Sequence, residues 1–432
     1  MTVTGHVNPI ATPRHLPHNE PLPVDGVLPH DLDGALVQVS PHPGRSGQSH
    51  TTVGPALLSG VRLGGGIARW HRTTAKETGG HPPAWAIGSA PWTRTTGAAD
   101  PSPDGPCRVS VAPPVKDRST SEWHTVATYP GLDWAEHLIM GPDGGIREAR
   151  PFGLGGAPLM HAVALTERFV VVFDLPVTYR RAAAMVGTGF PYRWQQDRPA
   201  RIGLLPRQPG GEEEPRWFPV APCYVSHSVN AYEEGDRVIV DAVRHDRAFD
   251  TPSWTEAGAA GSSRVHRWTL DLDSGAAYER PLADSLALAS VDPRRAGRGH
   301  ELMFGCSPDG NALIGHDLAA ATVQVRKLDP GWQADQPVFV PRGRAEGDGW
   351  IVALTRNAAQ RRSELLVLDA LHLTGRPQAV VHLPIIPPTA RHTMWMARSS
   401  ASATGSPSIS SPSPTCRWSC RTRRSPSDPS WS

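Results

Sequence analysis

The chain lacks several features that would have assigned it quickly. No stretch approaches the ~18 apolar residues that a membrane-crossing helix needs, so no span is predicted. The opening, MTVTGHVNPIATPRHLPHNEP, has no apolar core of the kind a secretory leader carries, so no leader is expected. Five cysteines (Cys107, Cys223, Cys306, Cys416 and Cys420) are scattered, odd in number and never spaced as CxxC. That pattern excludes a disulfide framework and a structural zinc ribbon, and points to a reduced, cytoplasmic protein. Charge of one sign is also missing: 43 Lys and Arg against 41 Asp and Glu leave +2, so no nucleic-acid partner is expected. No HExxH pair marks a zinc hydrolase. The glycine strings Leu63-Gly-Gly-Gly-Ile and Gly153-Leu-Gly-Gly do not sit at a strand-to-helix step, as a phosphate loop requires. WD and kelch repeats are absent as well.

Turn residues, by contrast, are plentiful, with 42 glycines and 45 prolines among 432 residues. They separate short runs rich in Val, Ile, Leu and aromatics: 35–40, 124–129, 168–177, 237–243, 265–272, 322–328, 350–355 and 363–368. Several end in turn signals such as Gly141-Pro-Asp-Gly-Gly, Asp273-Ser-Gly and Pro308-Asp-Gly. Short strands at this spacing predict an all-β protein, and a β-propeller is the economical choice because radial repetition leaves few long edges. Residues 1–20 read as an arm, 21–396 as the β domain with an irregular segment over 73–114, and 397–432 as a disordered Ser/Pro/Arg-rich tail.

Three of the 19 histidines have distinctive settings. His161 lies in Pro158-Leu-Met-His-Ala, at the entry of the most apolar run. His227 lies in Cys223-Tyr-Val-Ser-His-Ser-Val-Asn-Ala-Tyr-Glu, just before a turn and another strand, and His392 follows Val381-His-Leu-Pro-Ile-Ile-Pro-Pro. A neutral imidazole at a strand end is a good ligand for Fe, Zn or Cu, although any single histidine is more often a surface or hydrogen-bonded core residue. Glu233, Glu234 and Asp174 read as turn or strand-end carboxylates facing water.

These strings resemble the carotenoid cleavage oxygenases, a family that includes lignostilbene dioxygenases. The first is similar to the family's M-H-D-x-A-x-T-E-x-Y-V-V-x-x-D-L-P, the second to C-Y-V-F-H-x-x-N-A-Y-E, and the third to V-H-L-P-x-x-V-P-x-G-F-H-G-x-W. Phe190-Pro-Tyr-Arg-Trp, Arg201-Ile-Gly-Leu-Leu-Pro-Arg and Pro337-Val-Phe-Val-Pro agree too, so the likeness covers most of residues 20–396. The resemblance implies a seven-bladed β-propeller with a loop and helix cap over an axial metal site. It implies ferrous iron, Fe(2+), held by four histidines, three of them supported by glutamates, and cleavage of a C=C bond by O2 into two carbonyls. The implied partners are O2 and an apolar conjugated substrate (a carotenoid, apocarotenoid or stilbene), with peripheral membrane contact as an uptake route and a monomer as the working state. His161, His227 and His392 are the expected metal ligands.

The chain departs from the family at several of these places. Alignment on Glu122-Trp-His-Thr puts Pro113 where the first family histidine belongs, and a proline has no side-chain donor. His124 or His137 would need a different strand position to replace it. One supporting glutamate corresponds to Gln336, which accepts an imidazole N–H without a carboxylate's charge, and a second corresponds to Ala287. The wording around His392 is altered and runs straight into the tail, the pattern a reading-frame shift near Ile385 would leave; resequencing the gene tests it. Two readings therefore stand: an Fe(II) dioxygenase, or an impaired propeller of the same family that at most binds an apolar ligand.

Overall fold

A computed structural model describes residues 20–40, 57–74, 94–95, 108–129, 131–141, 145–186, 191–208, 214–250, 263–284, 286–384, 387 and 392–398. The expected tail and N-terminal arm lie outside these residues, apart from Glu20, Ala397 and Arg398. Among the described residues there are six antiparallel sheets of four to six strands, and one short α-helix, Arg181–Met185. No helix of the described residues is long and apolar enough to cross a membrane.

The sheets follow one another along the chain. The first joins Gly34–Ser40, Leu57–Gly64 and Ile67–Thr74 to the last strand, His392–Ala397. The second is built on Trp123–Thr128, Trp134–Met140 and Ile146–Gly153; Arg94–Thr95 and Arg108–Val111 extend it, so the segment expected to be irregular contributes two short strands. The third runs from Ala164–Leu165 to Arg216–Val220 and the fourth from Tyr224–Glu234 to Ala277–Asp284. The fifth runs from Ala287–Ser290 to Thr322–Lys327. The sixth carries Gly349–Asn357, Arg362–Asp369 and Ala379–His382, with the first strand of the chain, Val24–Gly26, on its edge.

The run Phe169-Val-Val-Val-Phe-Asp shows why these sequences make such an arrangement. Successive strand side chains point to opposite faces. Val170 and Val172 pack on Val126 and Phe152 of the second sheet, whereas Val171 and Phe173 pack on Val238, Val240 and Trp268 of the fourth. The strand is apolar throughout because both its faces are covered by neighbouring sheets. Equivalent cores join the fourth sheet to the fifth through Val243, Val265, Met303 and Ile314, and the fifth to the sixth through Phe304, Leu313, Ile351 and Leu366. A further core joins the sixth to the first through Leu36, Val61, Trp70, Val352 and Val367. Each fully buried Val, Leu or Phe stabilises the fold by about 1.5–3 kcal/mol relative to exposure. At the opposite edges, Arg216–Val220, Ala277–Asp284 and Thr322–Lys327 alternate toward solvent, while Ala164–Leu165 packs on Tyr224–Glu234 and that strand on Ala287–Ser290. Sheets stacked face to face, each with one edge turned inward, are the blades of a propeller.

Two carboxylates were read differently from the sequence. Asp174 is 1% exposed and does not face water: it lies between Arg198 and Arg201, the latter 2.8 Å away. Their guanidinium groups replace the solvent that a strand-end carboxylate ordinarily uses. Glu233 accepts from the Thr166 hydroxyl at 2.7 Å and the Arg168 amide at 2.8 Å, tying the third sheet to the fourth. Glu234 is exposed, as expected.

Closure also depends on packing at a glycine. A Cβ on Gly34 would come within 2.6 Å of the Trp395 ring, so glycine admits the tryptophan of the last strand against the first sheet. A chain ended at Pro384 loses this strand. It is expected to be less stable than one ended at Arg398 by about 3 kcal/mol or more, read from denaturant midpoints. Equal midpoints would show that the last strand contributes nothing to closure.

Buried histidines make the fold acid-sensitive. In the second sheet His124 Nδ1 and His137 Nε2 are 2.9 Å apart, and the two residues are 3% and 0% exposed. Burial, the main cause, holds His124 down to about 4 and His137 down to about 3. Below the ordinary imidazole value of about 6.5 the unfolded chain binds protons that the folded one refuses. Stability is therefore complete above about pH 6.5 and falls toward pH 4, by about 1.4 kcal/mol per pH unit for each such histidine. His137→Leu is expected to flatten that slope; an unchanged slope in pH-dependent denaturation would contradict it.

Candidate metal centre

The inward edges of the sheets surround a cavity of about 190 Å³. Its wall takes Val37, Thr393 and Met394 from the first sheet, and Pro113, Pro114 and Val115 from the approach to the second. His161, Ala162 and Val163 enter from the third, His227 and Ser228 from the fourth, and Gln336 from the sixth. Two of the three histidines singled out in the sequence thus meet at one place.

Local structure explains how each arrives there. His161 follows a segment anchored on the ribbon Val177–Tyr179, where the Leu159 amide donates to the Val177 carbonyl at 2.7 Å. His161 Nδ1 donates to the Ser226 carbonyl at 2.8 Å, which places the imidazole lone pair on Nε2. His227 sits in a strand with two register shifts, between Val225 and His227 and between Ser228 and Asn230. Such bulges turn side chains and carbonyls out of the regular ladder. His227 Nε2 donates to the Ala289 carbonyl at 2.9 Å, leaving the lone pair on Nδ1. Burial holds the His227 ring below the ordinary imidazole range, so it is neutral at pH 7 and competent as a ligand.

The other expected residues divide. Pro113, the residue expected at the missing-ligand position, lines the cavity and has no side-chain donor. Gln336 lines it too, and its Oε1 accepts from the Thr393 amide at 3.3 Å. His392 begins the last strand opposite Val39, and Thr393 and Met394 after it line the cavity; the His392 side chain lies outside the described residues. Ala287 is not part of the wall, but two residues on Ala289 supplies the carbonyl that orients His227. His124 and His137 are absent from the wall and pair with each other. Among the described residues no group of three or more His, Cys, Asp or Glu is arranged to hold a metal ion.

Among the described residues of the wall there is no carboxylate. The nearest along the chain, Asp335, is 3% exposed and is bound by Arg356 at 3.0 Å and by Gln38 at 2.9 Å. Sequence reasoning missed the Ser226 and Ala289 carbonyls, because a backbone group's role is set by strand register and leaves no mark in residue type.

Comparison with known proteins agrees with the fold. Residues 92–397 match the family profile described as retinal pigment epithelial membrane protein. A carotenoid cleavage oxygenase of Mycobacterium tuberculosis is 28% identical over 87% of this chain and 93% of its own length. The apocarotenoid-15,15'-oxygenase of Synechocystis is 29% identical over 60% of this chain and 56% of its own. Among solved structures, cobalt-substituted Synechocystis ACO superposes with a TM-score of 0.71 at 20% identity, covering 88% of this chain and 96% of that one. The lignostilbene dioxygenase of Pseudomonas brassicacearum gives 0.69 at 22% identity, covering 88% and 95%. The all-β, seven-bladed propeller expected from the sequence is the fold of this protein, six of its blade sheets falling among the described residues. With the profile spanning most of the blades and both cavity histidines, the chain belongs to the retinal pigment epithelial membrane protein and carotenoid cleavage oxygenase family.

Proposed function

We propose that this protein is an Fe(II)-dependent oxygenase that splits a C=C bond of an apolar conjugated substrate into two carbonyl products, with the metal held by His161, His227 and His392. The substrate class is a carotenoid, apocarotenoid or stilbene. The observation that carries the reading is the meeting of His161 and His227 on one cavity, each with one ring nitrogen committed to a backbone carbonyl. Each imidazole thereby keeps a lone pair on its other nitrogen, and neutral imidazoles suit Fe, Zn, Cu and Ni. Two such nitrogens on one wall supply part of a donor set for such an ion. The named activities of the relatives, carotenoid cleavage, apocarotenoid oxygenation and isoeugenol monooxygenation, support the class of reaction.

When bound, the iron supplies the activation of O2. The chain's residues orient the imidazoles, keep out water and position the alkene against apolar walls at Val37, Ala162, Val163 and Met394. A cavity of 190 Å³ is smaller than the ~300–1,000 Å³ of ordinary ligand pockets, so it takes the reacting bond and its neighbours rather than a whole substrate. No side chain is needed as nucleophile or general base.

A second reading, a propeller with a weak iron site that at most binds an apolar ligand, is favoured by Pro113 in the wall and by the absence of any carboxylate among the wall's described residues. Lost outer-shell support costs about 10–100-fold in metal affinity or activity. Metal analysis beside a cleavage assay on apocarotenoid and stilbene substrates decides between them. The expected result is substoichiometric iron and slow turnover in the wild type, more iron in Pro113→His, and none in His227→Ala. Full iron and fast turnover, abolished by His227→Ala, would remove the second reading. Iron and turnover that survive His227→Ala would overturn the site.

A further inference from the structure

We infer that Ser226 and His245 form a positioning device that fixes the tautomer and orientation of His161, an inference that rests on reading His161 as a metal ligand. Val225 pairs with Arg244 and His227 with the next residue, Val243, so Ser226 is the extra residue of a β-bulge. An extra residue has no partner in the ladder, and its carbonyl is free to turn elsewhere. That carbonyl accepts the Nδ1–H of His161 at 2.8 Å.

A bulge held only by its neighbours would let that carbonyl drift. Here the Ser226 hydroxyl is hydrogen-bonded to His245 Nε2 at 2.9 Å. His245 is 6% exposed, sits on the adjacent strand opposite Tyr224, and has its other ring nitrogen, Nδ1, buried without a hydrogen-bond partner among the described residues. One imidazole therefore spends its hydrogen-bonding capacity on Ser226, a cost that a purely packed core position would avoid by carrying an apolar residue. The related family string has phenylalanine where this chain has Ser226, so the hydroxyl belongs to this chain's own solution. The route runs from the buried His245 ring through the bulge hydroxyl and carbonyl to His161, and every group in it is neutral at pH 7.

The test uses the full chain, metal-free, with isotope-labelled histidine; the His161 resonances are identified by their loss in His161→Gln. The wild type is expected to carry the His161 proton on Nδ1. In Ser226→Ala and His245→Phe the two tautomers mix, and Co(II) binding measured by equilibrium dialysis weakens roughly tenfold. Ser226→Thr and His245→Gln, which keep a hydroxyl and a side-chain N–H, restore both readouts, and the double variant Ser226→Ala/His245→Phe is no weaker than either single one. An unchanged His161 tautomer in Ser226→Ala and His245→Phe overturns the inference, even if Co(II) binding falls. A tautomer that shifts as described in a protein binding no Co(II) upholds the positioning role and removes the metal reading instead.

Discussion

Two antiparallel pairings join the ends of the described chain. Val24–Gly26 lies against Ala379–His382 in the sixth sheet, and His392–Ala397 lies against Gly34–Ser40 in the first. The sheets between them are held mostly by apolar side chains facing the next blade, and such packing has no directional preference of its own. Strand pairing supplies the direction. A register slip of one residue would turn Val24 at the first join, or Trp395 at the second, away from the shared core, so closure and core packing enforce each other. Everything lining the cavity depends on that closure, because Val37, Thr393 and Met394 reach it only from the joined strands.

Within the ring the described groups at the cavity are neutral or neutralised. His161 and His227 are oriented by carbonyls, Gln336 is engaged by a backbone amide, and Asp335 is neutralised by Arg356. A carboxylate partner makes an imidazole a stronger donor; a carbonyl fixes its geometry with less electrostatic effect. Both histidines have the orienting half of that arrangement, and Pro113 in the same wall offers no side-chain donor.

Much of this was legible in the residues. The Phe169-to-Asp174 run announced the most apolar strand, which the fold covers on both faces, and the strings around His161 and His227 singled out two residues that the fold brings together. Pro113, singled out from the flanking strand, lines the same cavity. What escaped were relations across sheets. Asp174 looked water-facing because its partners, Arg198 and Arg201, come from beyond a ribbon and a helix. The carbonyls that aim the histidines come from a bulge at Ser226 and from Ala289, whose roles depend on register rather than on side-chain identity.

The central claim is that His161 and His227 hold a metal in the cavity they share. Anomalous diffraction from crystals soaked in Co(II) tests it most directly. The account predicts one strong peak in that cavity, about 2.0–2.2 Å from a ring nitrogen of each histidine. A cavity without a peak under saturating Co(II), or cobalt bound by other residues alone, would contradict it.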